Sequence, residues 1–306
     1  MVRILGIVCL VIAVAKTSIE DQTISSTHCD RGKIYCECGE PPLKRSYLKC
    51  QYELVTKIAR GRIVTDKQKH PWQAALYSKL NQFLCGGSII TKRHILTAGH
   101  CVKSFDTRGW TVVVGLLNQI FRDGETYPLL GLKIHPAFMS KNFPVNDVAV
   151  AITKRPIKFH MNVWPICLIR TEVDLSGYRA LVAGWGVTEY QGVRPASLLD
   201  GQVRILSEEE CQAAKYIGRV YNSDQMICAS SEKTDACQGD SGGPLIVYGS
   251  SGNAIQVGIV SFGFGCQTKD SAGVYTRLSK YLDWIDEVTG RTESCILPRD
   301  YKNELV

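Results

Sequence analysis

Residues 235–244 read DACQGDSGGP, and no other stretch of the sequence says more about the chemistry expected of the chain. Glycines at positions 239, 242 and 243 surround Ser241. Glycine adopts backbone conformations closed to other residues, so several N–H groups around such a serine can point at one spot. The pattern favours a reactive serine over an ordinary glycine turn.

Two further segments supply partners for this serine. Residues 96–101 read LTAGHC and contain His100, and residues 146–150 read NDVAV and contain Asp147. A serine hydroxyl is a poor nucleophile at neutral pH, so it needs a base such as histidine, which a carboxylate can hold in the correct tautomer. Singly, such a His or Asp is more often structural, but the order His, Asp, Ser along the chain distinguishes one class of serine hydrolase.

Together these segments closely resemble the trypsin-like (chymotrypsin-fold) serine proteases. The resemblance runs from about residue 63 to about residue 288, and it includes GWG at 184–186 and GVY at 273–275. It implies an all-β fold of two antiparallel six-stranded β-barrels with a C-terminal helix. It also implies a catalytic triad of His100, Asp147 and Ser241, with an oxyanion hole formed by the N–H groups of Gly239 and Ser241.

The same resemblance implies specificity for arginine or lysine before the cleaved bond. Asp235 stands where trypsin-like proteases carry a carboxylate at the base of the substrate pocket, and a surface carboxylate in a loop is the alternative. Gly263 and Gly273 match the glycines of the pocket walls, and Ser261 would hydrogen-bond Asp147 from behind. Ala236 replaces a serine found in many trypsins. Because alanine has no hydroxyl to accept a hydrogen bond from the ammonium group of a substrate lysine, we expect arginine substrates to be preferred over lysine substrates.

Residues 60–64 read RGRIV and resemble the activation site of these zymogens. Cleavage after Arg62 would free the amine of Ile63 to pair with Asp240, which sets the oxyanion hole and the pocket. The family usually reads IVGG at this point, whereas this chain reads IVTD at 63–66. The sequence leaves open whether this altered start weakens activation. The alternative to an activation cleavage site is that Arg62 is only a basic residue in a linker.

The start of the chain predicts secretion. A basic start, a short apolar run and an Ala-x-Ala site ending at Ala15 are typical of a signal peptide over residues 1–15. Residues 16–62 are polar and hold four cysteines, so they read as a disulfide-tethered pro-segment of unidentified fold. Residues 63–293 form the protease domain and 294–306 a polar tail. We therefore expect a secreted, extracellular protein with no membrane span.

The 13 cysteines fit an oxidising compartment, since the twelve outside the signal segment form an even set. The resemblance pairs Cys85 with Cys101, Cys211 with Cys228, and Cys237 with Cys266. It also matches Cys167 to a cysteine that often tethers a light chain. The pairing of this residue with the other five stays open; they are Cys29, Cys36, Cys38, Cys50 and Cys295.

Apolar periodicity agrees with the implied fold. Short β-branched runs alternate with turns, as expected of strands in a barrel or sandwich, and only residues 278–288 carry apolar side chains at helical spacing. The seven runs predicted as strands are Trp72–Tyr77, Ser88–Ile90, Trp110–Val114, Val148–Ile152, Ala180–Ala183, Leu245–Val247 and Ala254–Ser261.

The expected partners are protein or peptide substrates with Arg or Lys at the cleavage site, an activating trypsin-like protease, and protein inhibitors as further candidates. The net charge of +7 is scattered, and it does not point to nucleic acid. No cofactor or metal is implied. Leu116 replaces a glutamate of the trypsin calcium loop, and the loop from there to Glu125 has few well-spaced carboxylates.

Two other functions compete with the enzyme. A catalytically weak homologue that binds or regulates would fit the altered start at Ile63. A structural disulfide-rich module would leave the ordered triad unexplained.

Overall fold

A computed structural model describes residues 38–39, 62–102, 106–141, 143–170, 172–187, 193–230, 240–263, 272–290 and the backbone of 296–297. All of these residues belong to one compact unit, Cys36–Val306. The predicted signal segment and most of the predicted pro-segment lie outside them. Within the described residues, no helix has both the length and the apolar character needed to cross a bilayer.

Residues 73–153 form a closed barrel. A two-residue strand β1, Arg62–Ile63, and a 3₁₀ turn, Lys67–Lys69, precede it. Its six antiparallel strands pair in the order β2-β3-β4-β7-β6-β5. Their bounds are Gln73–Tyr77 for β2, Phe83–Ile89 for β3, His94–Thr97 for β4, Thr111–Val114 for β5, Glu125–Ile134 for β6 and Ala149–Thr153 for β7.

The second half forms a second barrel with strands added at its edge. The ring runs β12-β9-β10-β11-β14-β13 and closes through pairing of β12 with β13. Strand β8 joins β13 in parallel, β15 joins β8 in parallel, and β1 pairs with β10. The bounds are Cys167–Ile169 for β8, Arg179–Gly184 for β9, Leu199–Ile205 for β10, Met226–Ser230 for β11, Pro244–Tyr248 for β12, Ala254–Gly263 for β13, Gly273–Arg277 for β14 and Ile296–Leu297 for β15.

Helices are short in the described residues. Helix α1 spans Glu208–Ala213 and begins with a capping box, in which Ser207 and Glu210 bond each other's backbone N–H groups. A 3₁₀ turn, Leu278–Tyr281, leads into α2, Leu282–Thr289. The prediction of an all-β fold with two six-stranded antiparallel barrels and a C-terminal helix is therefore confirmed.

Each barrel has its own apolar interior, because alternate strand residues point inward. Leu76, Leu96 and Val112 are fully buried in the first barrel, and Leu245 and Tyr275 in the second. Ala180 and Val247 are also buried in the second interior, where they pack within the same apolar cluster.

Polar side chains link the two barrels across their interface. Ser88 of β3 donates to Gln256 Oε1 of β13 at 2.6 Å, and both side chains are buried. Gln73 of β2 donates to the carbonyl of Ala183 in β9 at 3.2 Å. Buried polar groups need such partners, so these bonds specify how the barrels meet.

A buried ionic cluster holds the segment that follows the candidate cleavage site. Asp200 of β10 lies opposite Arg62 in the strand pairing. Its carboxylate Oδ2 is 2.8 Å from His70 Nε2 and 2.6 Å from Lys69 Nζ. Burial acts to raise the pKa of Asp200, but the hydrogen bonds from His70 and Lys69 outweigh it and hold the pKa below its usual value.

We predict that Asp200→Asn lowers the free energy of unfolding by about 1–3 kcal/mol at neutral pH, because it removes the charged carboxylate that binds the buried His70 ring and the partly exposed Lys69 ammonium group. A group whose pKa is lowered by folding stabilises above its unfolded pKa, and that contribution disappears as pH falls through the folded pKa. The difference between wild type and variant should therefore shrink below about pH 4.

Urea denaturation from pH 7 to pH 2.5 measures this difference. Asp106→Asn is the matched control, because Asp106 pairs with Arg108 on the solvent-exposed surface and should matter little to stability. Equal effects of the two substitutions would contradict the assignment of Asp200.

Candidate active site

His100 lies in a 3₁₀ turn, Gly99–Cys101, directly after β4. Its ring Nδ1 is 2.7 Å from Asp147 Oδ2, and its backbone N–H donates to Asp147 Oδ1 at 2.8 Å. The carboxylate thus binds both the ring and the backbone of the same residue. With Nδ1 donating to the carboxylate, Nε2 becomes the nitrogen that can accept a proton.

Asp147 joins the two barrels. It precedes β7 of the first barrel and is 2% exposed. Ser261 of β13 donates its hydroxyl to Asp147 Oδ2, as predicted from the resemblance. Thr276 of β14 donates to the backbone carbonyl of Asp147 at 2.8 Å. A buried carboxylate with this many donors is satisfied without direct contact with water.

Ser241 is held beside the first barrel by its backbone. Its carbonyl accepts a hydrogen bond from Gly86 N–H of β3 at 2.8 Å. Gly242 has a φ of +82°, and a Cβ there would lie 2.3 Å from Thr97 Oγ1 and 3.2 Å from Ala98 N. Only glycine fits both constraints. The serine is thereby brought against the residues that lead into His100.

Asp240, next to Ser241, faces the GWG segment at 184–186. Its Oδ1 accepts from Gly186 N–H at 2.8 Å. A Cβ at Gly184 or Gly186 would lie 2.0 or 2.6 Å from this carboxyl group, so any side chain there would displace the Asp240 carboxylate from its present position. The segment that resembled the family in sequence is therefore the binding surface for the Asp240 side chain.

The candidate activation segment is only partly exposed in this uncut chain, since Val64 is buried. Ile63 pairs with Leu199 of β10, and its side chain is 64% exposed. Asp66 has a φ of −114° and caps the following 3₁₀ turn through Gln68 N–H. Among the described residues, Thr65 and Asp66 are not in the left-handed region, so the altered start is unstrained before cleavage.

Part of the predicted substrate pocket is described. Gly263 ends β13, Gly273 begins β14, and the two residues are paired in the register of the sheet. A Cβ at Gly263 would lie 3.7 Å from Gly273 Cα. The facing glycines keep this pair of strands clear of side chains. Asp235 and Gly239 lie outside the described residues.

Three disulfides are present in the described residues. Cys85–Cys101 and Cys211–Cys228 confirm two of the predicted pairs. The third joins Cys38 to Cys167 and settles one of the open pairings. Four of the open cysteines then remain, which allow three pairings. The predicted pair of Cys237 and Cys266 lies outside the described residues.

The Cys38–Cys167 bridge is embedded in backbone contacts. Gly39 N–H donates to the carbonyl of Pro165 at 2.8 Å, and Gly39 has a φ of +75°. A Cβ at Gly39 would lie 2.5 Å from the carbonyl oxygen of Ala254. Residues 38–39 are therefore fitted closely against the second barrel.

The sequence did not predict the hydrogen bonds of Asn146 and Tyr281, which support the backbone next to Asp147. Asn146 has a φ of +52°, and its side chain donates to the carbonyl of Ala137 at 2.8 Å. Tyr281, in the C-terminal 3₁₀ turn, donates its hydroxyl to Asn146 Oδ1 at 3.1 Å. Burial, together with the nearby Asp147 charge, raises the pKa of Tyr281 to about 12. The only signal in the sequence was an Asn before the Asp, which is common in turns.

The described residues do not build a trypsin-like calcium site in the loop from Leu116 to Glu125. Leu116 is buried, and Asp123 accepts from the N–H groups of Leu117 and Asn118 and pairs with Lys67. Glu125 binds His160 and Tyr127. Near His100, Cys85 and Cys101 could suggest a metal cluster, but their sulfurs are bonded to each other and are not thiolate ligands.

Comparisons with known proteins agree with this geometry. The family model described as Trypsin matches residues 59–285. The β subunit of clotting factor G from Tachypleus tridentatus is 32% identical over 253 residues, which cover 77% of this chain and 81% of that protein.

Two mammalian relatives are longer proteins. The bovine suppressor of tumorigenicity 14 protein homolog is 33% identical over 240 residues, covering 74% of this chain and 27% of its own length. Rat transmembrane protease serine 9 is 33% identical over 279 residues, which cover 87% of this chain and 24% of that protein. This chain thus spans about a quarter of each.

The chain belongs to the trypsin family, because the family model covers most of it and its fold is the two-barrel fold. It is a serine endopeptidase of that family.

Proposed function

We propose that this protein is a secreted endopeptidase that hydrolyses peptide bonds after arginine or lysine and becomes active on cleavage after Arg62. One observation carries the proposal. The His100 ring and the Ser261 hydroxyl both bind Oδ2 of the buried Asp147 carboxylate, and the backbone of Ser241 is anchored to the first barrel through Gly86. The disulfides and the signal-like start support secretion.

The mechanism follows from that arrangement. His100 Nε2 removes the proton from the Ser241 hydroxyl as its oxygen attacks the substrate carbonyl. Asp147 stabilises the imidazolium, and the N–H groups of Gly239 and Ser241 bind the oxyanion. The imidazolium then protonates the leaving amine, which leaves an acyl group on Ser241. A water molecule, deprotonated by His100, hydrolyses that ester and restores the serine.

We predict that Ser241→Ala lowers kcat by about 10⁶-fold, because no nucleophile remains. The measurement is hydrolysis of an arginine amide after cleavage at Arg62. Ser251→Ala, in an exposed turn, is the matched control and should keep full activity. Near-normal activity of the Ser241 variant would overturn the assignment.

A catalytically weak regulatory homologue is the second candidate. The Thr65-Asp66 start, which stands where the family usually has two glycines, favours it. Labelling with a fluorophosphonate separates the two functions, because only an activated Ser241 reacts. Labelling of the cleaved wild type but not of the Ser241 variant supports the enzyme.

Activation is proposed to keep the pro-segment attached. Cleavage after Arg62 would free the Ile63 amine to pair with Asp240, while Cys38 remains bonded to Cys167. We predict that a trypsin-treated sample gains activity, yields a new N-terminus at Ile63, and separates into two fragments only after reduction. Arg62→Gln should stay uncut there and inactive. Full activity of the uncut variant, or separation without reductant, would contradict the proposal.

Specificity is proposed to rest on Asp235. An unpaired buried carboxylate costs several kcal/mol, so uncharged substrates are penalised. Because Ala236 lacks a hydroxyl to accept from an ammonium group, we predict a higher kcat/KM for arginine than for lysine substrates, and a smaller ratio in Ala236→Ser. Matched arginine and lysine amides measure the ratio. Equal values in the wild type would refute this role of Ala236.

A further inference from the structure

Asn146, the residue before Asp147, has a left-handed backbone conformation. Its φ is +52°, a region that asparagine tolerates better than most residues but that still costs free energy. Its carbonyl accepts a hydrogen bond from Val148 N–H at 2.9 Å, so the chain turns sharply around Asp147. The direction in which the Asp147 side chain leaves the backbone therefore depends on this turn.

Two side-chain hydrogen bonds hold Asn146 in this conformation. Its amide nitrogen donates to the carbonyl of Ala137, in the loop between β6 and β7, at 2.8 Å. Its Oδ1 accepts from the hydroxyl of Tyr281 at 3.1 Å. Ala137 belongs to the first barrel, whereas Tyr281 follows β14 of the second barrel. A left-handed residue persists when its surroundings hold it in place, so the turn depends on both bonds.

The ring of Tyr281 is fixed by its packing. Tyr281 is 4% exposed and lies in the same apolar cluster as Leu76 and Leu96 of the first barrel. The ring of His135, at the start of the β6–β7 loop, packs edge to face against the rings of Tyr281 and Trp284, with both centre-to-centre distances at 5.2 Å. The hydroxyl of Tyr281 is therefore held at one position relative to the loop.

This hydroxyl is a hydrogen-bond donor at neutral pH. Burial, followed by the nearby charge of Asp147, raises the pKa of Tyr281 to about 12, so the phenol keeps its proton. Thr276, also of the second barrel, donates its hydroxyl to the carbonyl of Asp147 at 2.8 Å. Two hydroxyl groups of the second barrel thus hold the consecutive residues 146 and 147.

We propose that Tyr281 is a positioning residue of the active site, which acts through Asn146 to hold Asp147 where both of its carboxylate oxygens reach His100. The proposal rests on the proposed function and adds a residue to its machinery. The two bonds from Asp147 to His100, at 2.8 and 2.7 Å, need one orientation of the carboxylate. A small rotation of the turn would lengthen them, and a displaced ring is a poorer base for Ser241.

The variant Tyr281→Phe removes the hydroxyl and keeps the ring. We predict that it lowers kcat by about fivefold with KM unchanged, because the lost bond affects the placement of His100 and not the binding of substrate. The measurement is hydrolysis of an arginine amide by the full chain after cleavage at Arg62. Tyr127→Phe is the matched control and should keep wild-type kcat, since this buried tyrosine of β6 loses a comparable bond, to Glu125 at 2.9 Å.

A double-mutant cycle separates this role from a purely structural one. Asn146→Gly accepts the positive φ and removes the acceptor of the Tyr281 hydroxyl. In that background Tyr281→Phe should leave kcat unchanged, because the hydroxyl acts on Asp147 through Asn146. An equal loss of kcat in both backgrounds would overturn the proposal. So would wild-type kcat in the single variant Tyr281→Phe, or an equal loss in Tyr127→Phe.

A measurement without turnover distinguishes failure of this proposal from failure of the proposed function. The proton between His100 Nδ1 and the Asp147 carboxylate is followed by its low-field NMR signal. We expect the signal to move or broaden in Tyr281→Phe and to match the wild type in Tyr127→Phe. If the wild type cleaves no substrate, the protease function fails and this signal alone decides the role of Tyr281, as it does if Asn146→Gly does not fold. An unchanged signal in Tyr281→Phe would refute that role.

Discussion

The buried carboxylate of Asp147 is the interaction on which the site depends. It belongs to the first barrel, yet two hydroxyl groups of the second barrel, on Ser261 and Thr276, bind the residue. An ionised carboxylate that is 2% exposed is stable only while its donors stay in place. The barrels therefore cannot shift relative to each other at this point without a large energetic cost. Two hydrogen bonds from Asp147 hold the backbone and the ring of His100 in a fixed position.

Glycines provide the second constraint, because they allow backbone segments to approach closely. Gly242 lets the serine loop reach Thr97, and Gly184 and Gly186 leave room for the Asp240 carboxyl group. These contacts explain why the short motifs were so informative. Gly184, Gly186 and Gly242 each lie against a residue distant in sequence, so these motif positions carry information about the tertiary fold.

Much of the architecture was predictable from sequence, and the exceptions have physical reasons. Strands buried on both faces, such as β12 and β13, have continuous apolar runs that are visible in sequence. In β6 and β10, charged, proline and glycine residues interrupt the apolar residues, so no continuous apolar run marks these strands in sequence. Helix α1 is too short to show helical spacing, although its capping box is present in sequence.

The candidate site was predictable where chemistry needs one residue type, as at His100, Asp147 and Ser261. It was unpredictable where partners meet only through folding. The Asp200 carboxylate hydrogen-bonds His70, which is 130 positions away in sequence. Tyr281 of the C-terminal 3₁₀ turn hydrogen-bonds the side chain of Asn146. No spacing rule joins such residues. The Cys38–Cys167 pair was one of several equivalent choices until the contacts of Gly39 selected it.

That disulfide has a consequence for where the enzyme works. If the chain is cut after Arg62 as proposed, the covalent bond between Cys38 and Cys167 would keep the two pieces together as one molecule. A surface that binds the shorter piece would then also retain the longer piece. The disulfide, and not dilution into the surrounding fluid, would set the effective concentration of the longer piece at that surface. Proteolytic activation would therefore change the activity of the protein without changing the place where it is bound.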